Sequence, residues 1–481
     1  MAGIVGAAAE RPSRARDVRG YHLGMSLLIR GGRLIEPGRN LDQTADILID
    51  GGLVRAIETT PGTLTAPAGG VTIDAEGCIV TPGLIDPHVH FRDPGPDHEE
   101  TIATGADSAI HGGFTTVACM PNTSPPLDTP EQIAGVHERG LEAGACRVFA
   151  VGCATVGRRG ATVADLRGMA DAGAVGFSDD GLPVKSARVM RRALEYSRIT
   201  TKAIIAHSEE PALSAGGHMH EGEVSTRLGI AGIPSASEDI AVARDARLAE
   251  ITGGRLHICH VSSARSVEII RRAKERGVRI TGEGTPHHFT LTDEEVMSFD
   301  SNTKMNPPLR SESDRVAVIE GLVDGALDAI ATDHAPHAER EKLVEFDQAP
   351  FGIIGLETSL PLTITTLVEG GYLDLATAIE RMTIAPARIL GLDCGTLAPG
   401  APADVVVFDP AERWTFARAD IASRSHNTPF IGRDLTGRIL LTLLAGAATY
   451  EHPRLRDRLG AQSHNGTDTA PAVAPVPGAH A

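Results

Sequence analysis

The sequence predicts an α/β protein: a (β/α)8 barrel of the TIM type carrying a small split β-sandwich domain built from both ends of the chain. Three observations lead there. Eight short apolar runs alternate with longer amphipathic stretches through the middle of the chain, strand-like runs stand before and after that middle, and chemically capable residues gather where the central runs end. An open doubly wound sheet is the structural rival, and the gathering of polar residues at strand ends favours the barrel, whose active sites lie there.

Taken in order, residues 1–24 mix Ala, Arg and Gly without periodicity and read as a disordered extension, with Met25 a candidate start. The runs Ser26–Arg30, Ala45–Ile49 and Leu53–Ile57 alternate between Gly, Asp and Pro turns, as strands of a small antiparallel sheet do. Similar patterning returns in Ala403–Phe408 and Arg438–Leu444. Residues 25–80 and 395–455 are therefore expected to form the two parts of one β-domain.

Residues 81–394 are expected to form the barrel. Its strand candidates are Cys78–His90, Phe114–Met120, Cys146–Val151, Ala174–Asp180, Ala203–His207, Leu256–Val261, Val278–Glu283 and Leu327–Asp333, with helix-like stretches such as 237–251 and 263–276 between them. Residues 456–481 are rich in Ala, Pro, Gly, Ser and Thr and read as a disordered tail.

Composition excludes several function classes. A formal charge of −17 over 481 residues repels phosphate backbones, and the one basic cluster, Arg11, Arg14, Arg16 and Arg19, lies in the N-terminal extension, so nucleic acid is not an expected partner. No apolar run approaches the roughly 20 residues needed to span a bilayer. The six cysteines are scattered without a CxxC pair and read as core thiols in a reducing compartment. With no signal-peptide pattern, a cytoplasmic location is expected.

The chemistry starts at Ile85-Asp86-Pro87-His88-Val89-His90. Residues i and i+2 of a strand share a face, so His88 and His90 can aim at one metal ion. Such a pair alone is weak. Its company is what counts: Asp179-Asp180, His207, His260 and Asp333-His334 end four further strand candidates, bringing four histidines and two carboxylates to one rim. That set suits two divalent cations with open positions for water, with Zn2+ favoured by imidazole and carboxylate ligands. The bland alternative is a scatter of satisfied core histidines and helix-capping aspartates. Arg92, two residues beyond His90 and so on the same strand face, offers a fork for a substrate carboxylate. The charged segment from Pro336 to Pro350 reads either as a solvated loop or as a mobile element over the site.

Several segments also resemble the class I dihydroorotases of the amidohydrolase superfamily. They are Thr81-Pro82-Gly83-Leu84-Ile85-Asp86-Pro87-His88-Val89-His90-Phe91-Arg92-Asp93-Pro94-Gly95, Met120-Pro121-Asn122-Thr123, Phe177-Ser178-Asp179-Asp180-Gly181, Lys304-Met305-Asn306-Pro307-Pro308-Leu309-Arg310 and Ala331-Thr332-Asp333-His334-Ala335-Pro336-His337. The similarity runs from about Leu27 to about Glu451. Its opening motif is shared with hydantoinases, dihydropyrimidinases and allantoinases, whereas the Asn306 and His337 segments resemble dihydroorotases.

The resemblance implies reversible cyclisation of N-carbamoyl-L-aspartate to L-dihydroorotate in pyrimidine biosynthesis, with two Zn2+ per chain. It implies His88, His90 and Asp333 on the first metal, His207 and His260 on the second, and Asp180 bridging together with a nucleophilic hydroxide. Asp333 would be the general acid and base. It assigns substrate contacts to His90, Arg92, Asn122, Asn306, His337, Phe351 and Gly352. It also implies a homo-oligomer and makes aspartate carbamoyltransferase a candidate partner. Many relatives bridge their metals with a carboxylated lysine where this chain has Asp180; Lys185 is expected to be a solvated loop residue and Asp93 to have no role. Asp179 is the fallback ligand, since only one of two adjacent strand residues can face the metals. The rival readings are another cyclic amidase, such as a dihydropyrimidinase or allantoinase, and a silent scaffold subunit of aspartate carbamoyltransferase.

Overall fold

The computed structural model describes residues 26–455; the expected extension, the candidate start at Met25 and the C-terminal tail lie outside them. Eight central strands form one parallel sheet: β1 (Leu84–Val89), β2 (Phe114–Cys119), β3 (Arg147–Cys153), β4 (Gly176–Ser178), β5 (Ala203–Ala206), β6 (Leu256–Ile258), β7 (Ile280–Gly284) and β8 (Ala329–Ile330). Each pairs with the next. The ring closes just past β8, where Val89 bridges His334 in parallel and the His90 N–H donates to the His334 carbonyl at 2.9 Å.

Strand alternation decides what each side chain meets. On β5, Ala203 and Ile205 join an inner cluster with Val151, Val175 and Cys259. Ile204 and Ala206 instead pack outward with Val189, Ala193 and Leu194 of the helix Ala187–Thr200. Helices Ala236–Thr252 and Ala264–Glu275 fill stretches expected to be helical. The second starts where it does because the Ser263 side chain accepts from the Ser266 N–H, satisfying one of the helix's unpaired amides.

The two chain ends build one further eight-stranded sheet. Leu27–Glu36 pairs with Leu41–Asp50 on one side and, on the other, in parallel with Val71–Asp74 and then Ile79–Pro82. The ends meet where Ile79–Pro82 runs antiparallel to Val405–Phe408. Leu27, Ile29, Ile47, Ile49, Val80, Val405, Val407 and Leu441 share a core of their own.

One expected strand is two. The run Cys78–His90 divides at Gly83: Ile79–Pro82 belongs to the outer sheet and Leu84–Val89 to the barrel. Apolar patterning is continuous across the break because both segments are buried, so periodicity alone could not divide them. A Cβ at Gly83 would overlap the Thr115 side chain, so only glycine fits this crossing.

Candidate active site

All six expected metal ligands stand at the C-terminal rim of the barrel. His88 lies within β1 and His90 one residue beyond it; Asp180, His207, His260 and Asp333 follow the ends of β4, β5, β6 and β8. His207 continues the inward series of Ala203 and Ile205. His260 does not follow from alternation, because Leu256 and Ile258 pack outward and Cys259 inward. A positive φ of 30° at His260 turns it into the rim instead. Asp333 (φ 49°) and Arg92 (φ 59°) are also left-handed. Such conformations cost about 1–3 kcal/mol each in non-glycine residues and persist only where the surroundings impose them.

The ligand atoms converge in two groups. His88 Nε2 lies 3.2 Å from His90 Nε2, and Asp333 Oδ1 lies 3.3 Å from the first and 3.0 Å from the second. His207 Nδ1 lies 3.0 Å from His260 Nε2. Between the groups stands Asp180, whose Oδ1 is 3.6 Å from His88 Nε2 and 3.8 Å from both His207 Nδ1 and His260 Nε2. That oxygen is buried and has no hydrogen-bond partner among the described residues. Ring nitrogens this close, facing an orphaned carboxylate oxygen, are donors waiting for a shared cation rather than a network complete in itself. The cluster therefore fits a metal, and His88, Asp180 and His260, like His88, His90 and Asp333, can each hold an ion. Burial would raise the Asp180 carboxyl, but the surrounding His88, His260, His90 and His207 outweigh it and hold it well below the usual range.

Asp180 rather than Asp179 faces the cluster. Asp179 accepts the Thr155 N–H at 2.9 Å and the Thr155 hydroxyl at 2.5 Å, on the far side of the strand end. Lys185 is exposed.

Three residues that sequence reading passed over brace the site: two behind metal ligands and one behind the substrate contacts. Glu283 on β7, fully buried, accepts from His88 Nδ1 at 2.7 Å and His257 Nε2 at 2.8 Å. Glu209 faces His207 Nε2 at 3.4 Å and accepts from Asn306 Nδ2 at 2.9 Å. Burial pushes Glu209 up, but His207, Asn306 and Ser214 outweigh it and bring its carboxyl down to about 2. Glu99 pairs with Arg92 Nε at 3.2 Å and faces His337 Nδ1 at 3.2 Å. Glu283 was visible in principle: it ends an apolar run at the position where other runs supply ligands, and a buried carboxylate demands partners.

A cavity of about 380 Å3 opens over the cluster, lined by His90, Arg92, Asn122, Asp180, His207, His260, Asn306, Asp333, His337, Phe351 and Gly352 among others. All the expected substrate contacts meet there. Asn122 and Asn306 do so while already engaged: Asn122 Oδ1 accepts from His90 Nδ1 at 2.8 Å, and Asn306 serves Glu209. Gly352, at φ 152°, has no room for a side chain, since a Cβ would press on the Ala335 carbonyl and the His337 ring.

Two expectations are corrected. Arg92 does not share a strand face with His90, because β1 ends at Val89; its left-handed backbone brings it to the cavity. The 336–350 segment is not simply solvated. Lys342 is buried, its ammonium donating to the Ser301 carbonyl at 3.0 Å and the Pro350 carbonyl at 2.8 Å, which ties the segment to the cavity wall. Burial beside Lys304 pulls that ammonium down to about 7.

Comparison with known proteins agrees with this geometry. The chain is 51% identical over 426 residues to the dihydroorotase of Pelobacter propionicus, covering 89% of this chain and all of that one. The chain belongs to the dihydroorotase family. A second family member, from Pelotomaculum thermopropionicum, is 50% identical over 433 residues, covering 90% of this chain and all of its own length. Residues 77–266 match the Dihydro-orotase-like family and residues 358–450 the Amidohydrolase family. Among solved structures, the L-hydantoinase (dihydropyrimidinase) of Arthrobacter aurescens superposes with a TM-score of 0.78 at 28% identity, covering 88% of this chain and 96% of that one. The D-hydantoinase (dihydropyrimidinase) of a Thermus species gives 0.74 at 27%, over 88% and 95%. This dihydroorotase-family chain is thus an amidohydrolase acting on cyclic amides, with a histidine–aspartate cluster built as a metal site.

Proposed function

We propose that the protein is a zinc-dependent dihydroorotase that interconverts L-dihydroorotate and N-carbamoyl-L-aspartate, with two metal positions. The observation that carries this is the opening of Arg92 into the same cavity as the six-ligand cluster. His88, His90 and Asp333 would hold the first ion, His207 and His260 the second, and Asp180 both. Bound zinc would supply Lewis acidity, making water nucleophilic at neutral pH and polarising the amide carbonyl.

The remaining work falls to the chain. Arg92, braced by Glu99, takes the substrate carboxylate through its guanidinium fork, with His337 beside it. Asn122, Asn306 and the backbone at Phe351 and Gly352 line the ring's position. Asp333 takes the proton of the attacking water and delivers it to the departing ring nitrogen; in cyclisation the order reverses. Each cysteine is a free thiol, consistent with a reducing cytoplasm. Among the described residues no helix is long and apolar enough to cross a membrane.

The test is a metal analysis joined to an assay on dihydroorotate, dihydrouracil, hydantoin and allantoin. Up to two Zn2+ per chain and a strong preference for dihydroorotate are expected, with turnover abolished by chelation. Full activity in rigorously metal-free protein, or dihydrouracil turned over as well as dihydroorotate, would overturn the reading.

A further inference from the structure

We propose that Glu283 is a positioning residue that sets both halves of the metal cluster at once, an inference resting on the metal reading above. Its carboxylate is fully buried and does not line the substrate cavity, so it acts only through its neighbours. Oε1 accepts from His88 Nδ1 at 2.7 Å and from the backbone N–H of His260 at 3.1 Å. Oε2 accepts from His257 Nε2 at 2.8 Å.

An ionised carboxylate can only accept hydrogen bonds. The His88 proton must then sit on Nδ1, which leaves the Nε2 lone pair directed at His90, Asp180 and Asp333. The same oxygen holds the peptide of His260, the ligand that alternation would send outward and a φ of 30° turns inward. One side chain thus fixes the tautomer of a first-metal ligand and the backbone of a second-metal ligand. His257 completes the arrangement from behind: the carboxylate takes its Nε2 proton, which leaves Nδ1, 2.8 Å from the Thr281 hydroxyl, as an acceptor.

A buried glutamate of purely structural use would affect stability without affecting zinc. Glu238 supplies the control: it is equally buried and accepts the backbone N–H groups of Ser262 and Ser263, but touches no ligand side chain. Zinc affinities of full-length wild type, Glu283→Gln and Glu238→Gln would be measured by chelator competition, beside thermal unfolding of the metal-free proteins. Glutamine removes the charge and points an NH2 group at either His88 or His257, forcing one ring to change tautomer. Glu283→Gln should weaken zinc binding at both positions by about 10- to 100-fold, the usual effect of losing such a partner. Glu238→Gln should stay within about threefold, a change of roughly 0.65 kcal/mol or less.

Wild-type affinity at both positions in Glu283→Gln would sink the proposal while leaving the metal reading intact. Wild type that takes up no zinc would overturn both. Neutron diffraction of the zinc-loaded wild type supplies a readout that does not depend on any variant folding. Deuterium on His88 Nδ1 and His257 Nε2 supports the proposal; deuterium on His88 Nε2 or on Glu283 refutes it.

Discussion

In the His88/His90 half of the cluster both imidazoles are held from behind, His88 by Glu283 at 2.7 Å and His90 by Asn122 at 2.8 Å. In the His207/His260 half only His207 is held from behind by side chains, Glu209 at 3.4 Å and Asn306 at 3.5 Å, while the buried Nδ1 of His260 has no partner among the described residues. The halves also present different atoms: His88, His90 and His260 aim Nε2 at the centre, whereas His207 aims Nδ1. Ligand rings locked by hydrogen bonds lose less freedom on binding a metal and are more basic, so the first half is the better-prepared site. The second relies on backbone conformation, the left-handed turn at His260.

The largest expected effect is a break on the better-prepared side. Asp333→Asn should keep most of the metal, because His88 and His90 remain, yet lose about 100-fold to 10,000-fold in turnover as the proton carrier goes. Steady-state rates beside metal content check this, and a variant keeping more than about a tenth of the rate would place the acid–base role elsewhere.

Next comes the substrate end of the cavity. Arg92→Met removes charge and fork but keeps an apolar stem, and should cost about 2–4 kcal/mol, or roughly 30-fold to nearly 1000-fold, in preference for dihydroorotate over dihydrouracil. Metal content should not change. Untouched dihydroorotate turnover in this variant would remove Arg92 from recognition.

The comparison is sharpened most directly by partial loading. At one equivalent of Zn2+, anomalous diffraction should place the ion beside His88 and His90, and chelator titration should separate the two positions by about tenfold or more in affinity. Preferential occupancy beside His207 and His260 would reverse the ranking.

The smallest expected effect is a control on the bridge between the halves. Lys185→Ala should leave zinc content and turnover within about twofold, as exposed positions away from a site do. A collapse in either would mean that a lysine, rather than Asp180, joins the two halves.

Much of this was legible before any coordinates. Short apolar runs and their spacing gave the barrel strands, and alternating runs the outer sheet, because a strand that buries both faces must be continuously apolar and one that buries a single face must alternate. The ligands could be found because each lies at or just past the end of such a run. Glu283, Glu209 and Glu99 escaped for a different reason. Each answers a partner far along the chain, His88 at 195 residues, Asn306 at 97 and His337 at 238 respectively, and only Glu283 sits where a pattern pointed.

The sequence by itself determined the barrel, the outer sheet drawn from both ends and the six histidine and aspartate side chains that meet at the barrel rim, since these depend on local periodicity and residue chemistry. Tertiary structure alone decided how those side chains are aimed. Whether Cys78–His90 is one strand or two depends on which sheet each half joins, the outer one before Gly83 and the barrel after it. Whether Lys342 meets water depends on the Ser301 and Pro350 carbonyls that close around it. His260 turns inward because a left-handed φ is held there by a carboxylate from the next strand, and no alternation rule within its own strand contains that contact.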